Sequence, residues 1–353
     1  MSDPFRPGGD ALGLQRVISP RGLLPQAADQ VDPSLPPYQS EVWIDVDVLN
    51  IDAASFTQLE QVAESGGPSI AQQIEGIVQQ RGKMQNPVTG SGGMLLGRVH
   101  AVGADYSGPL RGVAPGTPVA TLVSLTLTPL HIAAITEIRP KAHQVAIRGH
   151  ALLPSSAPIA VLPSDISQGL VLSVLDVCGA PALVDRWVRD LPQNGRLMVL
   201  GAGKAGVLSL LAAKTRRPDL HLFAVDRDQT PLDAVAAIGL AEQVAVVDAS
   251  DAVAVRAQAQ AWSDGAGMDA VINMASLPGT EMATILATRQ RGLCLFFGMA
   301  TSFTRVALGA EGVGADVDLL IGNGYATNHA EFALNLLRSA PAVQQLLAKR
   351  LGV

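Results

Sequence analysis

The sequence predicts an α/β protein of two domains, a small antiparallel β-barrel followed by a doubly wound parallel sheet. Three observations predict it. Residues 41–160 carry short apolar runs of period two, broken by Gly and Pro, as half-buried strands do. From about residue 166 helical and strand patterns alternate, the rhythm of parallel crossover units. One of those strands then runs directly into Gly201-Ala202-Gly203-Lys204-Ala205-Gly206. The expected boundaries are 1–165 for the barrel domain, including an arm at 1–40, and 166–325 for the parallel sheet. Residues 326–353 are expected to form closing helices that pack back on the core.

Taken in order, residues 1–40 are rich in Pro and Gly and predict an arm laid over the surface. Val42, Ile44, Val46 and Val48 alternate with polar residues, which predicts a strand. Ile70, Ile74, Ile77 and Val78 share one face of a helix expected over 69–80. Strand patterns return at 97–103 and 117–123. A helical pattern runs over 168–191, and strands are expected at 196–200, 220–225, 243–247, 270–273, 293–297 and 319–321. Helices at 331–339 and 342–351 close the chain.

Composition bounds the function. Apolar residues make up 48% and charged ones 16%, so 353 residues can bury two sizeable cores. The net charge of −6, without a long basic run, argues against a nucleic-acid partner. The stretch 119–135 is too short and too broken by Thr and Pro to span a membrane, and residues 1–9 lack the apolar core of a signal peptide. Cys178 and Cys294 are too few for a disulfide framework. A cytoplasmic protein is the expectation.

The glycine run has a physical reading. Gly201 permits the tight strand-to-helix turn, Gly203 lets backbone approach a pyrophosphate, and Gly206 lets helix and strand pack closely. N–H groups at the helix start, including those of Lys204 and Ala205, face the phosphate charge. Twenty residues past Gly206, a second apolar strand ends in Asp226, placed to accept hydrogen bonds from ribose hydroxyls. Strand, turn, helix, strand and acid in this order predict a nicotinamide dinucleotide. Asp226 repels a 2′-phosphate and favours NAD, while Arg227 keeps NADP as the alternative. Asn273 and Met274, with Gly298 and Met299, end two further strands and are expected to line the same cofactor.

A catalytic half ahead of a dinucleotide-binding half resembles the medium-chain dehydrogenase/reductase superfamily, with its GroES-like barrel and Rossmann sheet. The run Gly92-Gly93-Met94-Leu95-Leu96-Gly97-Arg98-Val99 stands where that superfamily has Gly-His-Glu-x-x-Gly-x-Val. The zinc-ligating His thus corresponds to Gly93 and its neighbouring Glu to Met94. No Cys follows the strand ending at Leu49, and the lone Cys178 cannot make a tetrahedral site. No metal is expected. Without a Lewis acid, the chemistry open to the chain is reduction of an enone or oxidation of an amine.

Residues 16–26, 48–56, 81–94, 309–314, 321–325 and 329–331 together resemble a narrower family, the L-erythro-3,5-diaminohexanoate dehydrogenases of lysine fermentation. The resemblance implies NAD-dependent oxidation of the C3 amine to 5-amino-3-oxohexanoate with release of ammonia. Such a small-molecule diamino acid needs a cationic or N–H-rich end for its carboxylate and acids for its ammonium groups. Asp52 is the candidate for binding or deprotonating an ammonium, and Arg81 and Lys83 for the carboxylate. Glu311, Asp316 and Glu331 are further acids, although Glu331 at a helix start also suits the dipole. Two alternatives stay open: a zinc-independent, NADPH-dependent quinone or enoyl reductase, and a dinucleotide-binding protein without catalysis. A homodimer paired through a late strand is expected.

Overall fold

In the computed structural model, which describes residues 4–122, 125–298 and 300–352, the chain divides after Ser164 into two units. In the first, the arm forms a two-stranded ladder of β1 (Val17–Ser19) and β2 (Gln30–Val31). A six-stranded antiparallel sheet follows. It comprises β3 (Glu41–Ile51), β4 (Gly93–Val102), β5 (Pro118–Thr121), β6 (Leu130–Arg139), β7 (Gln144–Pro154) and β8 (Ile159–Val161). The order is β6-β7-β3-β4-β5-β8, with β3 near the centre. Its inward residues shift from the even positions Val42, Ile44 and Val46 to the odd ones Leu49 and Ile51. An irregularity in the pairing between Val46 and Val48 causes the shift, since one extra residue exchanges the two faces of a strand.

Two helices cover this core. α1 (Ala53–Glu64), not foreseen from the sequence, buries Phe56 and Leu59. α2 (Ile70–Arg81) starts at a capping box in which Ser69 and Gln72 exchange side-chain and backbone hydrogen bonds, and it buries Ile74 and Val78. The arm departs from expectation. Arg16 is only 1% exposed and makes a two-pronged ion pair with the fully buried Glu41, Nε to Oε1 at 2.9 Å and Nη2 to Oε2 at 2.7 Å. An arm with a buried cation at its centre belongs to the fold rather than lying on it.

The second unit begins with α3 (Gln168–Leu175) and α4 (Gly179–Trp187). The single helical pattern over 168–191 divides here because Pro181 lacks an N–H, and its ring would clash with a helical carbonyl four residues back. Then come β9 (Arg196–Leu200), α5 (Lys204–Arg216), β10 (His221–Asp226), α6 (Gln229–Ala237), β11 (Gln243–Val246) and α7 (Ala252–Trp262). They are followed by β12 (Met268–Asn273), α8 (Glu281–Ala287), β13 (Thr288–Phe296), α9 (Phe303–Gly312), β14 (Asp318–Ile321), α10 (His329–Arg338) and α11 (Pro341–Leu351). The sheet is parallel, in the order β11-β10-β9-β12-β13-β14. Successive strands step outward from β9 to β11 and then restart on its other side with β12. The carboxyl ends of β9 and β12 therefore flank a switch point, where such sheets bind ligands. α10 and α11 pack on α3, α4 and α5 of this same unit. Among the described residues no single helix is long and apolar enough to cross a membrane.

Candidate functional site

The switch point holds a hollow of about 480 Å³. Gly201 and Gly203 from the turn after β9 line it, with Asp226, Arg227 and Asp228 after β10, Asp248, and Met274 to Leu277 after β12. The turn cannot carry side chains where α5 crosses it: a Cβ on Gly206 would lie 1.9 Å from the Gly201 carbonyl oxygen. Asp226 anchors the turn by accepting the Ala202 N–H at 2.7 Å on Oδ2 and the Asp228 N–H at 3.1 Å on Oδ1. Each carboxylate oxygen keeps a second acceptor site for a ribose hydroxyl. No side chain caps α5 at Gly203, so the first-turn N–H groups, those of Lys204 and Ala205 among them, are left for an anion. The Lys204 ammonium itself pairs with Asp176. These residues fit a nicotinamide dinucleotide, the pyrophosphate on the turn and the adenosine ribose beside Asp226.

The neighbouring positions divide. Met274 lines the hollow, and Gly298 lies against the Ala275 carbonyl at the same sheet edge. Asn273 is a correction. It is fully buried, and its amide donates to Thr280 Oγ1 at 2.8 Å and Thr284 Oγ1 at 3.0 Å. Its carbonyl accepts the Ala275 N–H at 3.1 Å, so it braces the loop that bears Met274 instead of facing a ligand. Met299 lies outside the described residues.

In the first unit, the end of β3, the start of α1 and the loop before β4 form a polar cluster. Asp52 is the N-cap of α1, and its Oδ2 accepts the Gly92 N–H at 3.2 Å. Ser55, one turn into the helix and fully buried, lies 2.6 Å from the Thr89 hydroxyl and 2.7 Å from that of Ser91. These three hydroxyls tie the loop to the helix beside Asp52. The sequence reading missed them, although all three stand inside the segments that carry the narrower resemblance. Gly93 is locked. Its φ is +121°, and a Cβ there would lie 2.0 Å from the Asn50 carbonyl oxygen, so the position where zinc enzymes carry His has no room for a side chain. Among the described residues no three His, Cys, Asp or Glu side chains gather to hold a metal ion. Burial pushes the Cys178 thiol up to about 12, the behaviour of a structural cysteine.

The expectations for the substrate end change. Lys83 is fully buried and donates to the carbonyls of Pro25 at 2.7 Å and Gln26 at 3.3 Å, so it fastens the arm and offers nothing to a carboxylate. Arg81 donates to the Gln85 side chain at 2.9 Å. Glu311 is exposed in the last turn of α9. That helix runs back to the start of β14, so Glu311 stands at the sheet edge opposite the glycine turn. Asp316 stands with it, its carbonyl accepting the Arg291 N–H and its own N–H donating to Gln290 early in β13. Glu331 is exposed in the first turn of α10, where a negative charge suits the helix dipole.

The buried lysine has a measurable consequence. Burial, and secondarily Arg81, lowers the Lys83 pKa from 10.5 to about 8, with Asp29 opposing. Between those values the unfolded chain binds the proton that the folded protein has released. This group therefore makes stability rise with pH across that window. Lys83→Met is expected to remove that rise in melting temperatures measured from pH 8 to 10.5; parallel curves for the two proteins would contradict it.

Comparison with known proteins shows the family. Residues 15–163 match the family described as the L-erythro-3,5-diaminohexanoate dehydrogenase N-terminal domain. The L-erythro-3,5-diaminohexanoate dehydrogenase of Acetoanaerobium sticklandii is 42% identical over 342 residues, 97% of this chain and 98% of that protein. That of Fusobacterium nucleatum is 40% identical over 339 residues, covering 96% and 97%. Among solved structures, an alcohol dehydrogenase from Thermotoga maritima shares the fold at a TM-score of 0.55 with 12% identity, over 89% of this chain and 86% of its own. Near-complete coverage at such identity is decisive: the chain is an oxidoreductase and belongs to the L-erythro-3,5-diaminohexanoate dehydrogenase family.

Proposed function

We propose that the protein oxidises L-erythro-3,5-diaminohexanoate at C3, giving 5-amino-3-oxohexanoate and ammonia with NAD as the acceptor. The observation that carries this reading is identity of 40–42% with two relatives of that name over almost the whole chain. Bound NAD supplies the hydride acceptor. The chain must do the rest: take a proton from the C3 ammonium so that the nitrogen lone pair can form C=N as the hydride leaves. Water then adds to the carbon and ammonia departs. Asp52 is our candidate for the first of these tasks. The Gly92 N–H holds its carboxylate, which makes no capping hydrogen bond to α1.

Charge supports NAD over NADP. Arg227 lies 3.6 Å from Asp228 and also attracts Asp248, whose carboxyl is held low chiefly by the Ser250 N–H and hydroxyl and to a lesser degree by Arg227. With Asp226, three carboxylates face one guanidinium at the ribose end of the hollow, a poor setting for a 2′-phosphate. The test mixes the protein with the diamino acid and either cofactor and follows absorbance of the reduced form. NAD should give the higher kcat/KM by at least about tenfold, the factor that about 1.4 kcal/mol of repulsion carries. No reduction of either cofactor would refute the substrate, and equal rates with both would refute the cofactor preference.

A further inference from the structure

The last turn of the chain reaches the glycine turn. α11 is fixed to the second unit by the buried Val343 and Leu347. Near its end the Arg350 guanidinium donates from Nη1 to the Ala202 carbonyl at 3.0 Å and from Nη2 to the Pro231 carbonyl at 3.4 Å. Arg350 therefore joins the turn after β9 to the first turn of α6, in the field of Asp226. Ala202 is fully buried, and both its polar groups are now committed, the N–H to Asp226 and the carbonyl to Arg350. A trans peptide is planar, and its N–H points opposite to its carbonyl. Fixing the Ala202 carbonyl toward Arg350 thus fixes the next N–H, that of Gly203, away from it. Gly203 is exposed, lines the hollow, and has open space where a Cβ would stand.

We propose that Arg350 is a positioning residue for the dinucleotide: by holding the Ala202 carbonyl it aims the Gly203 N–H at the pyrophosphate. The inference rests on the cofactor reading above and goes beyond it, because it makes the carboxyl-terminal helix part of the binding turn. In this proposal Arg350 acts through the turn, by its bond to the Ala202 carbonyl. Its effect is on the orientation of a backbone donor that would otherwise be free to rotate with its peptide plane.

The test is calorimetric titration of the full-length protein with NAD, ADP-ribose and adenosine, the last lacking the pyrophosphate. Arg350→Met is expected to raise the Kd for NAD and ADP-ribose about tenfold, as loss of a charge-assisted bond of about 1.4 kcal/mol would. Adenosine should bind as it does to the wild type, and Arg350→Lys should recover part of the loss. Leu347→Ala loosens the same helix through its buried face. It should lower the melting temperature while keeping the NAD Kd within about twofold, since its arginine remains. Unchanged NAD binding in Arg350→Met would overturn the proposal. So would an equal loss for adenosine, or an equal loss in Leu347→Ala, because either assigns the arginine a merely structural role. A wild-type protein that binds no dinucleotide would remove the cofactor reading and this inference together; wild-type binding with an unaltered variant removes this inference alone.

Discussion

Glu41→Ala is expected to destabilise the protein by about 3–5 kcal/mol, the usual cost of stripping one partner from a buried ion pair. Glu41 is fully buried and accepts four hydrogen bonds: two from Arg16, one from Gln15 Nε2 at 2.7 Å, and one from the Tyr38 N–H at 2.8 Å. Removing the carboxylate leaves the Arg16 guanidinium with the carbonyls of Asp32 and Ser34, the Tyr38 ring at 4.9 Å and the side chain of Asp32 at 3.6 Å. None of these replaces a two-pronged carboxylate. The double variant Arg16→Met with Glu41→Met should recover much of the loss, because it removes the stranded charge and fills the space with apolar atoms. Denaturant unfolding followed by circular dichroism measures both. A single-variant loss below about 1 kcal/mol would mean that water reaches the pair.

That network shows where sequence reasoning stopped. The strand and helix rhythm of the second unit was legible because period, glycine turn and terminal acid are all local. So was α2, from the shared face of Ile70, Ile74, Ile77 and Val78. The arm was misread because its Pro and Gly content reports local backbone preference, whereas Arg16 meets its partner 25 residues on. Lys83 was misassigned for the same reason, its acceptors lying 57 and 58 residues earlier. Two of the segments that carry the family resemblance, 16–26 and 81–94, are thus fastened to each other through Lys83. Glu311 could have been placed from sequence. A helix between parallel strands ends at the edge opposite the one it leaves, so an acid in its last turn stands away from the switch point. The hydroxyls of Ser55, Thr89 and Ser91 were beyond reach, since their meeting depends on how β3 and β4 pair.

Asp52→Asn is expected to reduce turnover of the diamino acid by about 10²- to 10⁴-fold, the range that a positioned proton acceptor contributes. The substitution is unusually clean. The Asp52 side chain makes no capping hydrogen bond to α1, so none is lost, and the asparagine carbonyl oxygen can still accept the Gly92 N–H that Asp52 accepts at 3.2 Å. α1 and the loop before β4 should therefore keep their places, with Ser55, Thr89 and Ser91 still joined beside them. Only the negative charge and the capacity to take a proton are lost. Melting temperature and the Kd for NAD should stay at wild-type values while kcat falls. Raising the pH should restore part of the rate, because more of the amine is then free base and needs no acceptor. Turnover within about threefold of wild type would take Asp52 out of the chemistry and leave it as the acceptor of the Gly92 N–H. A fall in kcat together with a fall in melting temperature would instead point to loss of the loop, so Ser55→Ala, which loosens the loop with Asp52 intact, completes the measurement.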